Sequence, residues 1–261
     1  QKQTDLEEQM INLYANISIG HENDWAQIEA RIVAAAQCNA DAVVMSKSTP
    51  HLNIPEHKKY VSINSKWGSL PYIEVAKRSE LDELTVRKFN KLTEQIGIPV
   101  IWSITDSEAG AWVKENTNAD IVKAHFDASN DMETLRFCAE NFNEFICPGH
   151  NMELVEDIIQ KYYKNLKHRE RFSLYHTTQK FPPTIEELNL DKIEQLKTKK
   201  CNVGYEARCE DIFPDCAVVF KNVNFIEKFL GEDEEFNTAV LTPKKFYDFF
   251  VNMNQLEIAN G

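Results

Sequence analysis

Apolar residues in this chain come in short continuous runs, each followed by a stretch in which they recur every three or four positions. The runs are YANISI (14–19), ADAVVMS (40–46), IPVIWSI (98–104), ADIVKAH (119–125), EFICPG (144–149), RFSLYHTT (171–178), CNVGYEA (201–207) and VNFIEKFL (223–230). Runs that are apolar throughout, rather than alternating, suit parallel strands covered on both faces. Between them the helical period predicts helices over 24–38, 79–97, 106–116, 129–141, 151–166, 184–198 and 242–256, with a short helical stretch at 211–219. Ser79 with Asp82 and Glu83 reads as a capping box for the second helix and Gly97 as its end; Ser129 reads as a cap, and Pro243 suits a first helical turn. The stretch 49–70, rich in Pro, His and Lys, reads as a loop.

Eight strands, each followed by a helix, predict an α/β fold: a single-domain (β/α)8 TIM barrel over 14–261, with residues 1–13 as an N-terminal extension. A doubly wound open sheet is the runner-up, but SIGHEN after the first strand is not the GxGxxG of a dinucleotide site.

Charge narrows the partners. The net charge of −12 argues against nucleic acid or an anionic membrane, both of which reward a basic face. No apolar run approaches the roughly 18–20 residues of a membrane helix. The first residues lack the basic and apolar regions of a secretory leader, and the six Cys form no CxxC, so a reduced, cytoplasmic setting is expected. GEDEEF (231–236) reads as a solvated acidic loop.

In barrels of this kind chemistry gathers at the C-terminal strand ends. Those ends deliver His21 and Glu22, Ser46 and Lys47, Ser103 and Thr105, Lys123, His125 and Asp127, Cys147 and His150, His176, Thr178 and Gln179, Tyr205, Glu206 and Arg208, and Glu227 and Lys228. Four of the seven His (His21, His125, His150 and His176) therefore fall on one predicted rim, and His176 is expected to face the barrel mouth. Lys123 closes an apolar run, where a buried ammonium needs an anion, either a ligand or an ion-pair partner. His125, His150 and His176 form a speculative zinc trio, three imidazoles with an open position.

Several stretches together resemble the catalytic barrel of the sialic acid synthases, which condense phosphoenolpyruvate with an N-acetylated amino sugar to make nine-carbon acidic sugars. GHEND with AAAQCNADAVV resembles that family's Asn-His-Asn-Gly turn, first helix and second strand. SELDELTVRKFNKLTEQIGIPVIWS, ADIVKAH, CPGH, LYHTTQKFPPT, VGY and FIEKFL follow in order over nearly the whole chain. The resemblance keeps His21, Lys123 and His176 as family residues, with Gln179 in place of an Asn; it implies that His21, His176 and Gln179 are catalytic and that Lys123 contacts phosphoenolpyruvate. From their strand-end positions Arg208 and Lys47 are expected as further anion contacts, and Glu22, Thr178, Tyr205 and Glu206 as sugar contacts. Gly204, Glu227 and Lys228 also match. The family's strand-one Glu aligns with Asn16, and its strand-two Lys with Val44, three residues short of Lys47. Its metal-binding His residues, in Ser-Asp-His and Glu-Lys-His turns, align with Arg208 and Phe229. The family's divalent Mn or Mg site therefore reads as lost, and no other cofactor is implied. The sequence starts without Met and stops short of the family's small C-terminal antifreeze-like domain. Family members form domain-exchanged dimers, so a homodimer is the implied assembly.

Two functions stand against each other on these residues. One is a phosphoenolpyruvate-dependent synthase with altered activity. The other is a non-catalytic barrel, a pseudoenzyme that binds a sugar or sugar phosphate or serves as a scaffold.

Overall fold

The computed structural model describes residues 11–231 and 239–260. Its strands are β1 (Asn12–Asn16), β2 (Ala42–Lys47), β3 (Ser62–Ser65), β4 (Gly68–Pro71), β5 (Val100–Ile104), β6 (Ile121–Ala124), β7 (Glu144–Pro148), β8 (Phe172–His176), β9 (Asn202–Ala207) and β10 (Phe225–Phe229). Eight of them close into a parallel barrel in the order β1-β2-β5-β6-β7-β8-β9-β10, with β10 back on β1. The eight apolar runs are thus the eight barrel strands. The first starts at Asn12, two residues before the predicted start of the barrel. No helix among the described residues is long and apolar enough to cross a membrane.

Strand parity separates two cores. Leu13, Val43, Trp102, Val122, Phe145, Leu174, Val203 and Ile226 point outward and pack with helix residues such as Ile28, Val86 and Leu135. Ala42, Val44, Ile101, Ile146, Tyr175 and Phe225 form a smaller cluster inside the barrel. Gly204 belongs to this inner layer by necessity, because a Cβ there would come within 2.1 Å of the Phe225 ring. Above this apolar floor the inward positions turn polar, with Asn16, Ser103, Lys123, Glu206 and Glu227.

Helix starts follow side-chain caps. Asp24, Asp82, Asp106, Asp131 and Asn151 each accept from a backbone N–H of the first turn. Two expected caps are corrected. Ser79 ends the preceding helix Tyr72–Ser79, donating to Val75 O, and Asp82 caps the next. Ser129 lies in a 3-10 turn, and Asp131 caps Met132–Asn141. Gly97 does end its helix, at φ 78°. The stretch after β2 is not a plain loop. It holds turns at Pro50–Asn53 and Glu56–Lys59, the antiparallel hairpin β3–β4, and Tyr72–Ser79. The predicted helix over 184–198 shortens to a turn at Ile185–Glu187 and a helix at Lys192–Lys197. The acidic run expected at 231–236 lies, from residue 232 on, outside the described residues.

Candidate functional site

Glu206 on β9 and Glu227 on β10 are register partners, so two inward carboxylates stand side by side inside the barrel. Like charges in that position repel unless a cation sits between them. Lys123, reaching in from β6, supplies it. Its Nζ donates to Glu206 Oε2 at 2.5 Å and to Glu227 Oε2 at 2.7 Å, and lies 4.5 Å from the Tyr175 ring centroid. All three ionic side chains are nearly sealed, Lys123 at 1% exposure, Glu206 at 2% and Glu227 at 1%. Arg208 closes the top. Its Nε donates to Glu206 Oε1 at 2.5 Å, and its guanidinium sits 5.9 Å from both the Phe126 and Phe181 rings. Asn16 Nδ2 donates to Glu227 Oε1 at 2.7 Å. Two cations meet two anions, and the cluster is formally neutral.

The two carboxyls are not equivalent. Burial disfavours the Glu206 anion, but Lys123 and Arg208 together overcome that and hold its pKa well below the usual carboxylate range. Glu227 has only Lys123 and the Asn16 amide. Burial and the neighbouring Glu206 charge leave its pKa raised. Above the cluster, Phe181 packs on Phe229 with ring centroids 4.9 Å apart.

The other expected site residues do not join this cluster. His176 is turned outward by parity, away from the mouth. Its Nε2 bonds Leu188 O at 2.7 Å, its ring lies 6.0 Å from Tyr205, and burial lowers its pKa. Tyr205, expected to face sugar, also points outward, is 1% exposed and packs in the outer core. Lys47 points outward as well, donating to Glu80 at 2.6 Å beneath the Trp112 ring. Gln179 is exposed, and its carbonyl accepts from Arg208. Thr178 Oγ1 donates to Glu187 O. Lys228 is buried outside the barrel against Asp215, 2.7 Å away, and burial lifts the Asp215 pKa to about 6.

The zinc trio does not assemble. His176 is committed to Leu188 O, His125 Nδ1 lies 3.3 Å from an Asp127 carboxylate oxygen, and the His150 ring packs on Phe126 at 5.1 Å. Among the described residues no group of three His, Cys, Asp or Glu side chains is placed to hold a metal.

His21 lies at a second location, the end of β1. A cavity of about 290 Å³ there is lined by Ser18, Gly20, His21, Glu22, Ser46 and Glu80, among others. Burial, with Arg31 and Lys66 nearby, lowers the His21 pKa to about 4, so its imidazole is neutral at pH 7. Its Nδ1 accepts from Asn23 N at 3.0 Å. Glu22 stands at φ 45°, with its carbonyl taking Lys66 Nζ at 2.8 Å.

Strand-end position alone passes over Asn16 and Tyr175. Parity would have found both, since each lies an even number of residues from an inward neighbour on its own strand. No sequence signal pairs Lys47 with Glu80, because that contact depends on how the excursion after β2 folds back.

No curated protein sequence matches the chain. Among solved structures the fold is similar to N-acetylneuraminic acid (sialic acid) synthetase from Leptospira borgpetersenii serovar Hardjo-bovis, with TM-score 0.83 and 17% identity over 97% of this chain and 85% of that one. It is similar to spore coat polysaccharide biosynthesis protein spsE from Bacillus subtilis, with TM-score 0.75 and 17% identity over 95% and 68%. A truncated 3-deoxy-D-arabino-heptulosonate 7-phosphate synthase from Thermotoga maritima follows, with TM-score 0.69 and 11% identity over 97% and 88%. These likenesses speak for the fold. Ancestry rests on the family model described as NeuB family, which matches residues 31–261, and the chain belongs to that family.

Proposed function

We propose that this barrel is a non-condensing member of the NeuB family that binds a small neutral sugar and forms no carbon–carbon bond. One observation carries the reading: the ammonium that would receive phosphoenolpyruvate, Lys123, is already held by two carboxylates inside a sealed, neutral cluster. An incoming phosphate and carboxylate would have to displace buried ion pairs and meet Glu206 and Glu227 as like charges.

The residues at the resemblance's metal positions support the same reading. Arg208 presents only donors and is bound to Glu206, and Phe229 has no donor atom and packs on Phe181. That pair does not fit a divalent cation. The cavity beside His21 supports the choice of ligand. Serine hydroxyls and a neutral imidazole line it, its two carboxylates already have Lys47 and Lys66 as partners, and no cationic side chain is among its lining residues. Such a lining suits hydroxyl groups better than a phosphate.

The test is phosphate release from phosphoenolpyruvate, with N-acetylated amino sugars and Mn²⁺ supplied, alongside ligand-observed NMR of the sugars alone. The reading expects no phosphate release above background, and sugar binding that His21→Ala abolishes. Phosphate release lost in Lys123→Ala would overturn it.

A further inference from the structure

The end of the barrel opposite the mouth holds a cavity of its own. The helix Glu83–Ile96 packs on Trp25–Gln37 on one side but barely touches Ser107–Asn116 on the other. The gap between them opens at the starts of β5 and β6 as a cavity of about 490 Å³. Ile98, Val100, Ala119 and Ile121 form its floor. The Trp102 ring stands at the back, packed edge-to-face on Phe89 with ring centroids 5.5 Å apart. At its edge a Cβ on Gly97 would meet nothing within 4 Å. Asn90 Nδ2 donates to Asn116 O at 3.4 Å, which bridges the gap between the two helices.

The rim of this cavity is acidic. Glu94 and Asp120 are its charged lining residues, and both are exposed. Asp120 Oδ1 accepts from Asn143 Nδ2 at 2.6 Å, and neither carboxylate has an ion-pair partner among the described residues. The segments 90–102, 116–121 and 143–144 hold Glu94, Asp120 and Glu144 against one cation, Lys91, which is exposed and not part of the lining. Arg171 lies beyond them, facing Glu144. The helix Glu83–Ile96 also ends at this rim, and its last turn carries no basic side chain. A helix C-terminus is the negative pole of the helix dipole and favours a cation beside it.

We propose that this cavity binds a small organic cation, a protonated amine carried on an aromatic or branched apolar body. The apolar body lies on the floor against Trp102, and the ammonium meets Glu94, Asp120 and the helix end. Such a division, an apolar lining with a few polar groups that fix orientation, is how small-molecule sites are built. Burial of the apolar body supplies the affinity, and the negative rim supplies the selection. A carboxylate or phosphate ligand would meet Glu94 and Asp120 as like charges. The Asn90–Asn116 bridge favours a free small molecule over a peptide chain running through the gap. The His21 cavity lies at the other end of the barrel, so this site stands independently of the sugar.

Proton–nitrogen correlation NMR on the whole chain tests this with phenethylamine as the probe. Hydrocinnamate, of similar size and opposite charge, is its control. The Trp102 indole resonance, assigned with Trp102→Phe, reports on the back of the cavity. The amine should shift it saturably in about 0.05 M salt, where screening is weak, and the carboxylate should leave it in place. Glu94→Gln/Asp120→Asn keeps the size of both side chains and removes their charge. It should bind the amine at least about fivefold more weakly. Its Trp102 resonance without ligand, compared with that of the wild type, shows that the variant folds, and the comparison of amine with carboxylate on the wild type needs no variant. A Trp102 resonance that the amine does not move, equal binding of the carboxylate, or amine binding that the folded double variant retains in full overturns the proposal.

Discussion

Lys123 and Glu227 lie 2.7 Å apart in the sealed centre of the barrel, on strands β6 and β10, and Glu206 takes the other side of the same ammonium. Of the two roles the sequence left open for Lys123, a ligand contact or an ion pair, this geometry supplies the ion pair, with two internal carboxylates as its partners. Arg208 makes this tolerable, because without a second cation the pair of carboxylates would leave a net buried charge.

The asymmetry between the two carboxyls has a direct consequence. The depressed Glu206 pKa means that its ionised form contributes stability above the unfolded value near 4.5, and that this is lost as pH falls below it. Glu206→Gln should therefore cost about 3–5 kcal/mol at pH 7, as expected for a broken buried pair. The Glu227 pKa is raised, because burial and the Glu206 charge work against its anion. An amide there can still accept from Asn16, so Glu227→Gln should cost less than Glu206→Gln. Urea unfolding of both variants checks the order; equal costs would contradict it.

His21 predicts a pH slope. Its pKa of about 4 lies below the unfolded value of 6.5, so the unfolded chain takes up a proton first. Stability should decline as pH falls from 6.5 to 4, by roughly 3 kcal/mol from this group. Asp215 works the other way in part of that window, since its raised pKa of about 6 favours the folded state as pH drops. Unfolding midpoints from pH 7 to pH 4 should fall less steeply in His21→Gln than in the wild type. An unchanged slope would remove His21 from the account.

Gly204→Ala should destabilise the barrel by about 1–3 kcal/mol, because the added methyl enters the space of the Phe225 ring. Adding Phe225→Leu should recover part of the loss, with Tm as the readout. A Gly204→Ala protein as stable as the wild type would show that the inner layer has slack.

Much of this architecture was legible in the chain. All eight strands were readable because burial on both faces leaves continuous apolar runs, and Gly97 because an αL end favours glycine. Lys123 announced itself as a buried cation in need of an anion. What periodicity could not show is which face each strand end presents. His176 and Tyr205 stand one residue from inward Tyr175 and Glu206, and that single step turns them into the outer core. The hairpin β3–β4 was hidden because Ser62–Ser65 and Gly68–Pro71 are short, polar and half-exposed, with no apolar face to set a period. The clustering of four His on one rim misled for the same reason, since shared height on a barrel does not mean shared direction.

The most direct measurement is calorimetric titration of the metal-stripped protein with phosphoenolpyruvate, in the wild type, Lys123→Ala and Glu206→Gln. A self-neutralised mouth predicts no binding heat in the wild type and measurable binding in Glu206→Gln, where one carboxylate is gone and Lys123 and Arg208 leave the cluster with a net positive charge. Wild-type binding that disappears in Lys123→Ala would contradict it, and would show that the ion pairs open to admit the anion.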